Sequence, residues 1–215
     1  MLVMPPVNFR LLLVTDRHQT QGRPLPMVLA EAVQGGLSAI QLRERDLFTP
    51  QLLSLAQDVR AIARPHAVAL ILNDRIDLVA ALNLDGVHLR ADSMPVAAAR
   101  RVLGPHRLIG ISTHSIDDVK KANDEGADYL LFGPIFDTPS KRSFGPPLGL
   151  DRLAAACRLS TIPVFAVGGI TSARAPDVRQ AGAHGAAVIG AILSRKDIAA
   201  ATGELLTSLK PENKF

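Results

Sequence analysis

Polar and charged side chains follow short apolar runs at several places in this sequence, and their types are those that bind phosphate and metal ions. The most extended example is the run 130–132, which ends at a glycine and opens into a loop that reaches about Gly149. Thr138, Ser140 and Lys141 lie together in that loop, and two hydroxyls beside a cation suit an anion such as phosphate. A solvated surface loop is the alternative interpretation of the same stretch.

Glycines follow the two apolar runs nearest the C-terminus. Gly168 and Gly169 come directly after one run, and Gly190 comes after Ile189 at the end of the next. Because glycine has no Cβ, its backbone N–H can approach an oxyanion closely. We interpret these positions as a phosphate-binding cradle, although glycines that merely turn the chain would give the same pattern.

Arg43 and Asn73 offer a second anion-binding pair, since each stands at the end of an apolar run. The forked guanidinium group of arginine matches phosphate oxygens. Arg45 could add a further cation. The alternative is a structural ion pair that joins Arg43 to Glu44 or Asp74.

Two carboxylates, Asp74 and Asp92, are candidate ligands for a hard cation, because Mg²⁺ commonly binds one or two carboxylates together with substrate phosphates. An Asp that follows Asn73 is also typical of a helix cap or a salt-bridge partner. His114 is a candidate acid–base group, or a simple donor to a backbone carbonyl. His88, which lies within an apolar run, is more typical of a packed histidine that supports a site.

The spacing of apolar residues predicts the elements that must bring these groups together. Short apolar runs alternate with helical patterns and give about eight strand–helix pairs, which indicates a closed parallel barrel rather than an open doubly wound sheet. The predicted strands cover residues 9–14, 39–42, 68–72, 86–89, 108–111, 130–132, 163–167 and 186–189. We therefore predict an α/β fold, a TIM (βα)8 barrel, with residues 1–215 forming a single domain. In such a barrel the carboxyl ends of the strands meet at one mouth.

The composition restricts the class of protein. The chain has 215 residues, 47% of them hydrophobic, and a formal net charge of +4. Lys and Arg are scattered and aromatic residues make up only 4%, so a small anionic substrate is favoured over nucleic acid. The single Cys157 is expected to pack as a small hydrophobic residue. No signal peptide or membrane-length apolar run is recognisable, so we expect a cytoplasmic protein without a membrane partner; a homo-oligomer remains open.

Several short segments, taken together in this order, carry a resemblance. They are Val14-Thr15-Asp16, Gln41-Leu42-Arg43-Glu44, Leu72-Asn73-Asp74-Arg75, Asp85-Gly86-Val87-His88-Leu89, Gly110-Ile111-Ser112-Thr113-His114, Gly126-Ala127-Asp128-Tyr129, Gly133-Pro134-Ile135-Phe136 and Gly168-Gly169-Ile170-Thr171. The chain resembles, over nearly its whole length, the thiamine phosphate synthase family, which includes the TenI-type thiazole tautomerases. The family has the TIM-barrel fold.

The resemblance implies a transferase and assigns roles to individual residues. Such an enzyme joins 4-amino-5-hydroxymethyl-2-methylpyrimidine diphosphate to 4-methyl-5-(2-phosphoethyl)thiazole, or its carboxylate, and releases pyrophosphate with Mg²⁺ as cofactor. We predict as catalytic residues Lys141, Arg43, Ser112 and His114, as substrate-binding residues Gln41, Arg45, Asn73, Thr138, Ser140, Gly168, Gly169, Ile189 and Gly190, and as metal ligands Asp74 and Asp92. By the resemblance, the pyrimidine diphosphate lies on the Arg43 side and the thiazole phosphate on the Gly169 side.

Two positions depart from the family pattern. Arg45 replaces the Lys of the family's Gln-Leu-Arg-Glu-Lys, and Ser93 stands where synthases carry a second metal-binding Asp, with Asp92 one residue early. Ser93 favours the alternative of a TenI-type thiazole tautomerase, whereas Asp74 and Lys141 favour the synthase. A third hypothesis, from another class, is a non-catalytic regulator that binds thiazole phosphate.

Overall fold

Eight parallel strands close a barrel in the computed structural model, which describes residues 7–139, 142 and 145–210. The strands are β1 Leu11–Val14, β2 Ala39–Leu42, β3 Ala69–Asn73, β4 Gly86–Leu89, β5 Leu108–Thr113, β6 Tyr129–Phe132, β7 Val164–Val167 and β8 Gly185–Val188. Each strand pairs with the next, and β8 pairs with β1 to close the ring. The predicted TIM (βα)8 fold is thereby confirmed.

Helices lie between the strands and cover the barrel. They are α1 Leu25–Gln34, α2 Thr49–Ala63, α3 Ile76–Leu82, α4 Val96–Leu103, α5 Ile116–Asp124, α6 Gly149–Leu159, α7 Ala175–Gln180, α8 Gly190–Leu193 and α9 Ile198–Ser208. The sequence pattern did not indicate the short helix α8, because its four residues carry no helical periodicity of their own. None of the helices among the residues that the structure describes combines the length and the apolar character needed to cross a membrane.

Large side chains fill the interior of the barrel below its mouth. Phe9, Tyr129 and Phe165 are almost fully buried and pack ring against ring, with centroids 5.2 to 5.9 Å apart. Within β1, Leu12 and Val14 join this interior cluster, whereas Leu11 and Leu13 face outward and pack under the helices. The barrel is therefore a packed core rather than a pore, so a ligand can bind only at the polar rim above it.

The register of the strands brings polar residues of the rim side by side. Asn73 at the end of β3 lies opposite His88 of β4, and His88 lies opposite Gly110 of β5. Ser112 comes two residues after Gly110, so its side chain leaves the same face of the sheet closer to the mouth. Parallel pairing thus sets residues that are far apart in sequence within reach of one another.

Candidate functional site

Two hydrogen bonds of the protein itself join the tips of β1 and β2. The hydroxyl Oγ1 of Thr15, which is fully buried, accepts a hydrogen bond of 2.9 Å from the backbone N–H of Arg43. The N–H of Thr15 in turn donates to the carbonyl of Gln41 at 2.9 Å. These two bonds fix the point at which the Arg43 side chain leaves the rim.

Arg43 forms no direct ion pair with the described residues, although the charges of Asp16 and Glu44 act on its guanidinium group. Its neighbour Glu44 is buried and contacts Arg17 instead, with Arg17 Nη1 3.1 Å from Glu44 Oε2. Asp74 contacts Arg90. Neither structural ion pair that the sequence allowed for Arg43 is formed. Burial lowers the pKa of the Arg43 guanidinium, and the positive charge of Arg45 lowers it further. The rim therefore holds a half-buried cation that a bound anion would stabilise.

Gln41 and Asn73 form a side-chain pair beside Arg43. The amide Nε2 of Gln41 donates to Oδ1 of Asn73 over 3.2 Å. The other amide atom, Gln41 Oε1, is buried and accepts no hydrogen bond from the described residues. Because a buried acceptor without a donor is rare in folded proteins, this oxygen is a candidate contact for an N–H group of a ligand.

Both predicted metal ligands contact the same arginine. Arg90 Nε lies 2.6 Å from Asp74 Oδ2 and 3.3 Å from Asp92 Oδ1. The backbone N–H of Arg90 also donates to Asp74 Oδ1 at 3.1 Å. The side chain of Asp92 is 79% exposed. Within residues 7–139, 142 and 145–210, no group of three or more His, Cys, Asp or Glu side chains could hold a metal ion. As arranged here, the two carboxylates do not fit a preformed Mg²⁺ site.

Ser112 is held from inside the barrel by a buried histidine. His88 Nε2 lies 2.9 Å from Ser112 Oγ, and His88 Nδ1 lies 3.2 Å from the hydroxyl of Tyr129. Burial lowers the pKa of His88 to about 3, with a smaller effect from the charge of Arg43, so the ring is neutral at physiological pH. Burial also raises the pKa of the Tyr129 hydroxyl. Tyr129, the single tyrosine of the chain, was not predicted as part of the site.

His114 lies at the rim beyond the end of β5. Its ring atom Nδ1 is 2.6 Å from the carbonyl oxygen of Gly133. Because a carbonyl can only accept, Nδ1 carries the proton, and Nε2 of the neutral ring is then the basic nitrogen. The contact is the backbone hydrogen bond that the sequence analysis gave as the alternative, and it leaves one ring nitrogen for acid–base chemistry.

The glycine positions after β7 and β8 present bare backbone donors. Gly168 and Gly169 have φ values of +96° and +66°, which favour glycine. A Cβ on Gly168 would stand 2.6 Å from Pro134 Cβ. The N–H groups of Gly169 and Gly190 have no acceptor among the described residues. Such donors at two neighbouring strand ends are typical of the phosphate-binding corner of a barrel.

Arg174 supports this corner and was not predicted from the sequence. Its Nη1 donates to the carbonyl of Gly169 at 2.8 Å, and its guanidinium lies 4.7 Å above the Phe136 ring. Thr138 is half-buried on the adjoining loop and makes no hydrogen bond within the described part of the chain. Ser140 and Lys141, which were predicted from the same loop, lie outside the described residues.

The remaining predicted residues lie on the same rim. Arg45 is exposed next to Arg43, and Ile189 directly precedes the first residue of α8. An open groove of about 540 Å³ lies between Ser172 and helix α9, and one of its described lining residues, Glu204, is charged. Since the described lining of that groove presents no cation, the mouth is the better candidate for an anionic ligand.

The fold and the mouth define a class: a βα barrel whose rim is built to bind phosphorylated small molecules. The family model described as thiamine monophosphate synthase matches residues 11–192 of the chain. The chain belongs to the thiamine monophosphate synthase family.

Curated relatives and a solved structure agree with this assignment. The thiamine-phosphate synthase of Chloroflexus aurantiacus is 42% identical over 93% of this chain and 92% of its own length. That of Roseiflexus sp. is 41% identical over 89% of this chain and 81% of its own length. The structure of thiamine phosphate pyrophosphorylase from Pyrococcus furiosus superposes with a TM-score of 0.85 at 32% identity, over 93% of this chain and 95% of that one.

Proposed function

We propose that this protein is a thiamine-phosphate synthase. It joins the pyrimidine methyl diphosphate named above to the thiazole phosphate. The bond between the pyrimidine methylene carbon and the diphosphate oxygen breaks, and its electron pair leaves with pyrophosphate. The thiazole nitrogen forms the new bond to that carbon. The names of the relatives support this reaction, and their matches extend over nearly the whole chain.

The observation that carries the proposal is the guanidinium of Arg43, which forms no ion pair with the described residues. A half-buried cation without a direct ion pair in the described structure is stabilised when an anion binds there, since burial lowers its pKa. Arg43 would donate to diphosphate oxygens and stabilise the negative charge that grows as pyrophosphate leaves. Ser112, held by His88, would add a hydroxyl donor to the same group.

The pyrimidine ring would be recognised by side chains that flank Arg43, and the thiazole phosphate by the backbone N–H groups that follow β7 and β8. The free acceptor Gln41 Oε1 suits the amino group of the pyrimidine, with Asn73 fixing the amide. The N–H groups of Gly169 and Gly190 suit the thiazole phosphate, with Thr138 beside them. Ser140 and Lys141 remain predicted contacts, and His114 remains a predicted acid–base group.

Mg²⁺ remains part of the proposal as the ion of the diphosphate. Family membership supports magnesium dependence, and a diphosphate binds Mg²⁺ through its own oxygens. Since Asp74 and Asp92 both contact Arg90, we do not assign them a preformed metal site. The proposed partners are therefore phosphorylated small molecules; a cytoplasmic location and the absence of nucleic-acid and membrane partners stay proposals.

Incubation with both substrates tests the function. A synthase forms thiamine phosphate and pyrophosphate in equal amounts, which chromatography and a pyrophosphate assay measure. Hydrogen exchange on the thiazole phosphate carboxylate alone, without a condensed product, would indicate the TenI-type tautomerase. Binding of thiazole phosphate without either reaction would indicate the non-catalytic regulator.

Lys141→Ala tests the predicted loop residue. Loss of a cation that contacts the leaving group should lower kcat/KM by about tenfold to a hundredfold. The matched control is Lys120→Ala, which removes an exposed lysine from helix α5. Equal turnover of the two variants would remove Lys141 from the mechanism.

A further inference from the structure

Arg90 joins the two carboxylates that the sequence analysis assigned to a metal. Its Nε is 2.6 Å from Asp74 Oδ2 and 3.3 Å from Asp92 Oδ1, so a single guanidinium group stands between the two acids. One cationic side chain thus offsets about half of the charge that a divalent ion would otherwise balance.

The backbone holds Asp74 in position for this contact. Asp74 has a φ of +59°, which is uncommon for a residue other than glycine. Its N–H donates to the carbonyl of His88 at 2.9 Å, and its Oδ1 accepts from the backbone N–H of Arg90 at 3.1 Å. The carboxylate is therefore tied to the tip of β4, and it keeps the root of the Arg90 side chain at the rim.

The guanidinium of Arg90 is not saturated by these carboxylates. Its Nε is buried and close to Asp74, yet the N–H direction does not meet the criteria of a hydrogen bond. Neither terminal nitrogen of Arg90 makes a hydrogen bond to the described residues, and the side chain is 40% exposed. The two terminal groups remain available to an anion.

Arg90 lies close enough to Arg43 for its positive charge to act on that guanidinium group. The positive charge of Arg90 lowers the pKa of Arg43, although Arg90 belongs to the segment after β4 and Arg43 to the segment after β2. An anion with charge on two phosphoryl groups would relieve this repulsion by contacting both guanidinium groups.

We propose that Arg90 is a diphosphate-binding residue that supplies, from the protein, positive charge at the carboxylate pair, so that inorganic pyrophosphate binds this mouth even when no divalent ion is present. The Mg²⁺ of the proposed reaction then accompanies the diphosphate rather than the two carboxylates. This inference rests on the proposed function, because it adds a contact to the diphosphate of that reaction. Asp74 is then a positioning residue that orients Arg90, and Asp92 is a weaker, exposed partner.

Calorimetric titration with inorganic pyrophosphate in the presence of a chelator tests the proposal on the full chain. The wild-type protein should bind, and Arg90→Ala should bind at least about tenfold more weakly, because a charge-assisted contact is lost. Arg101→Ala is the matched control: it removes the same charge from the exposed face of α4. It should bind as the wild type does. Equal affinity of the two variants would overturn the proposal.

Titration with Mn²⁺, followed by electron paramagnetic resonance, gives a second readout. Removal of Arg90 leaves Asp74 and Asp92 without their cation, so Arg90→Ala should bind Mn²⁺ more tightly than the wild type does. Tighter Mn²⁺ binding by the wild type than by the variant would overturn the proposal. Both readouts are independent of turnover, so the two proposals can fail separately. Failure to form thiamine phosphate would reject the proposed function. Metal-independent pyrophosphate binding through Arg90 would still stand in that case.

Discussion

Replacement of His88 by Gln should flatten the dependence of stability on pH. His88 is 1% exposed, and its pKa is lowered from the ordinary value of 6.5 to about 3, chiefly by burial. The folded protein therefore keeps the ring neutral, while the unfolded chain takes up a proton as pH falls through 6.5. Stability is lost between the two pKa values, and the loss is complete only near the lower one.

The size of the effect follows from the two pKa values. With 6.5 in the unfolded chain and about 3 in the folded protein, moving from pH 7 to pH 4.5 removes about 2.5 kcal/mol of unfolding free energy. The Gln variant starts from a lower stability, because it loses the geometry of the contacts to Ser112 and Tyr129. Between pH 7 and pH 4.5 the unfolding free energy of the Gln variant should therefore fall less than that of the wild type, and the difference should be about 2.5 kcal/mol.

Urea unfolding at a series of pH values measures the effect. Groups such as Asp128, whose pKa is raised by burial, act equally in both proteins and cancel in the difference. Tyr129→Phe is the control, since it removes one hydrogen-bond partner of the His88 ring but keeps His88 in the barrel. The slope of its unfolding free energy against pH should match that of the wild type. Parallel pH profiles for wild type and His88→Gln would refute the assignment of a neutral buried histidine.

Three further changes test the rim and the core. Arg43→Ala should lower kcat/KM by about tenfold to a hundredfold. It should not lower the thermal midpoint, because it removes a half-buried charge that forms no ion pair in the described structure; a large loss of stability would mark Arg43 as structural. Gly169→Ala should raise KM for the thiazole phosphate, because its φ is +66° and the new Cβ would stand 2.8 Å from backbone and side-chain atoms. Gly22→Ala, with φ of +79° but open space around it, is the control for the backbone effect alone; equal KM values would place the cradle elsewhere. Gly110→Ala should lower the unfolding free energy in urea titration by about 1–3 kcal/mol, because its Cβ would overlap the Tyr129 ring inside the barrel; unchanged stability would contradict the close packing described.

Much of the fold could be predicted from the sequence, with errors mainly at the ends of elements. Strand β2 was predicted with the bounds that the structure has, because its short run is followed directly by the charged residues Arg43 and Glu44. Strand β5 runs to Thr113 rather than to residue 111, since Ser112 and Thr113 continue the backbone pairing with β6 despite their polarity. Pairing across the sheet is a tertiary property that local hydrophobicity does not report.

Most of the polar residues that lie at the rim could be predicted from the sequence, whereas the residues that contact and position them could not. Tyr129 lies in an apolar run, so its contact with His88 had no local signal beyond its being the chain's single tyrosine. Arg174 lies in the turn that leads into helix α7, and its contact with the Gly169 carbonyl depends on how the chain folds back after β7. Arg90 follows a predicted strand end, and that position was the one available signal.

The sequence by itself determined the alternation of strands and helices, and with it the gathering of strand-end residues at one mouth. That outcome follows from periodicity, because residues at the ends of successive parallel strands must share an edge. Only the tertiary structure decided which charges pair there. Glu44 contacts Arg17, and Asp74 contacts Arg90. Arg43 forms no ion pair with the described residues, which is why we propose that it binds an anion. Ion-pair partners are chosen by distances of a few ångströms between loops, and residue types along the chain do not encode those distances.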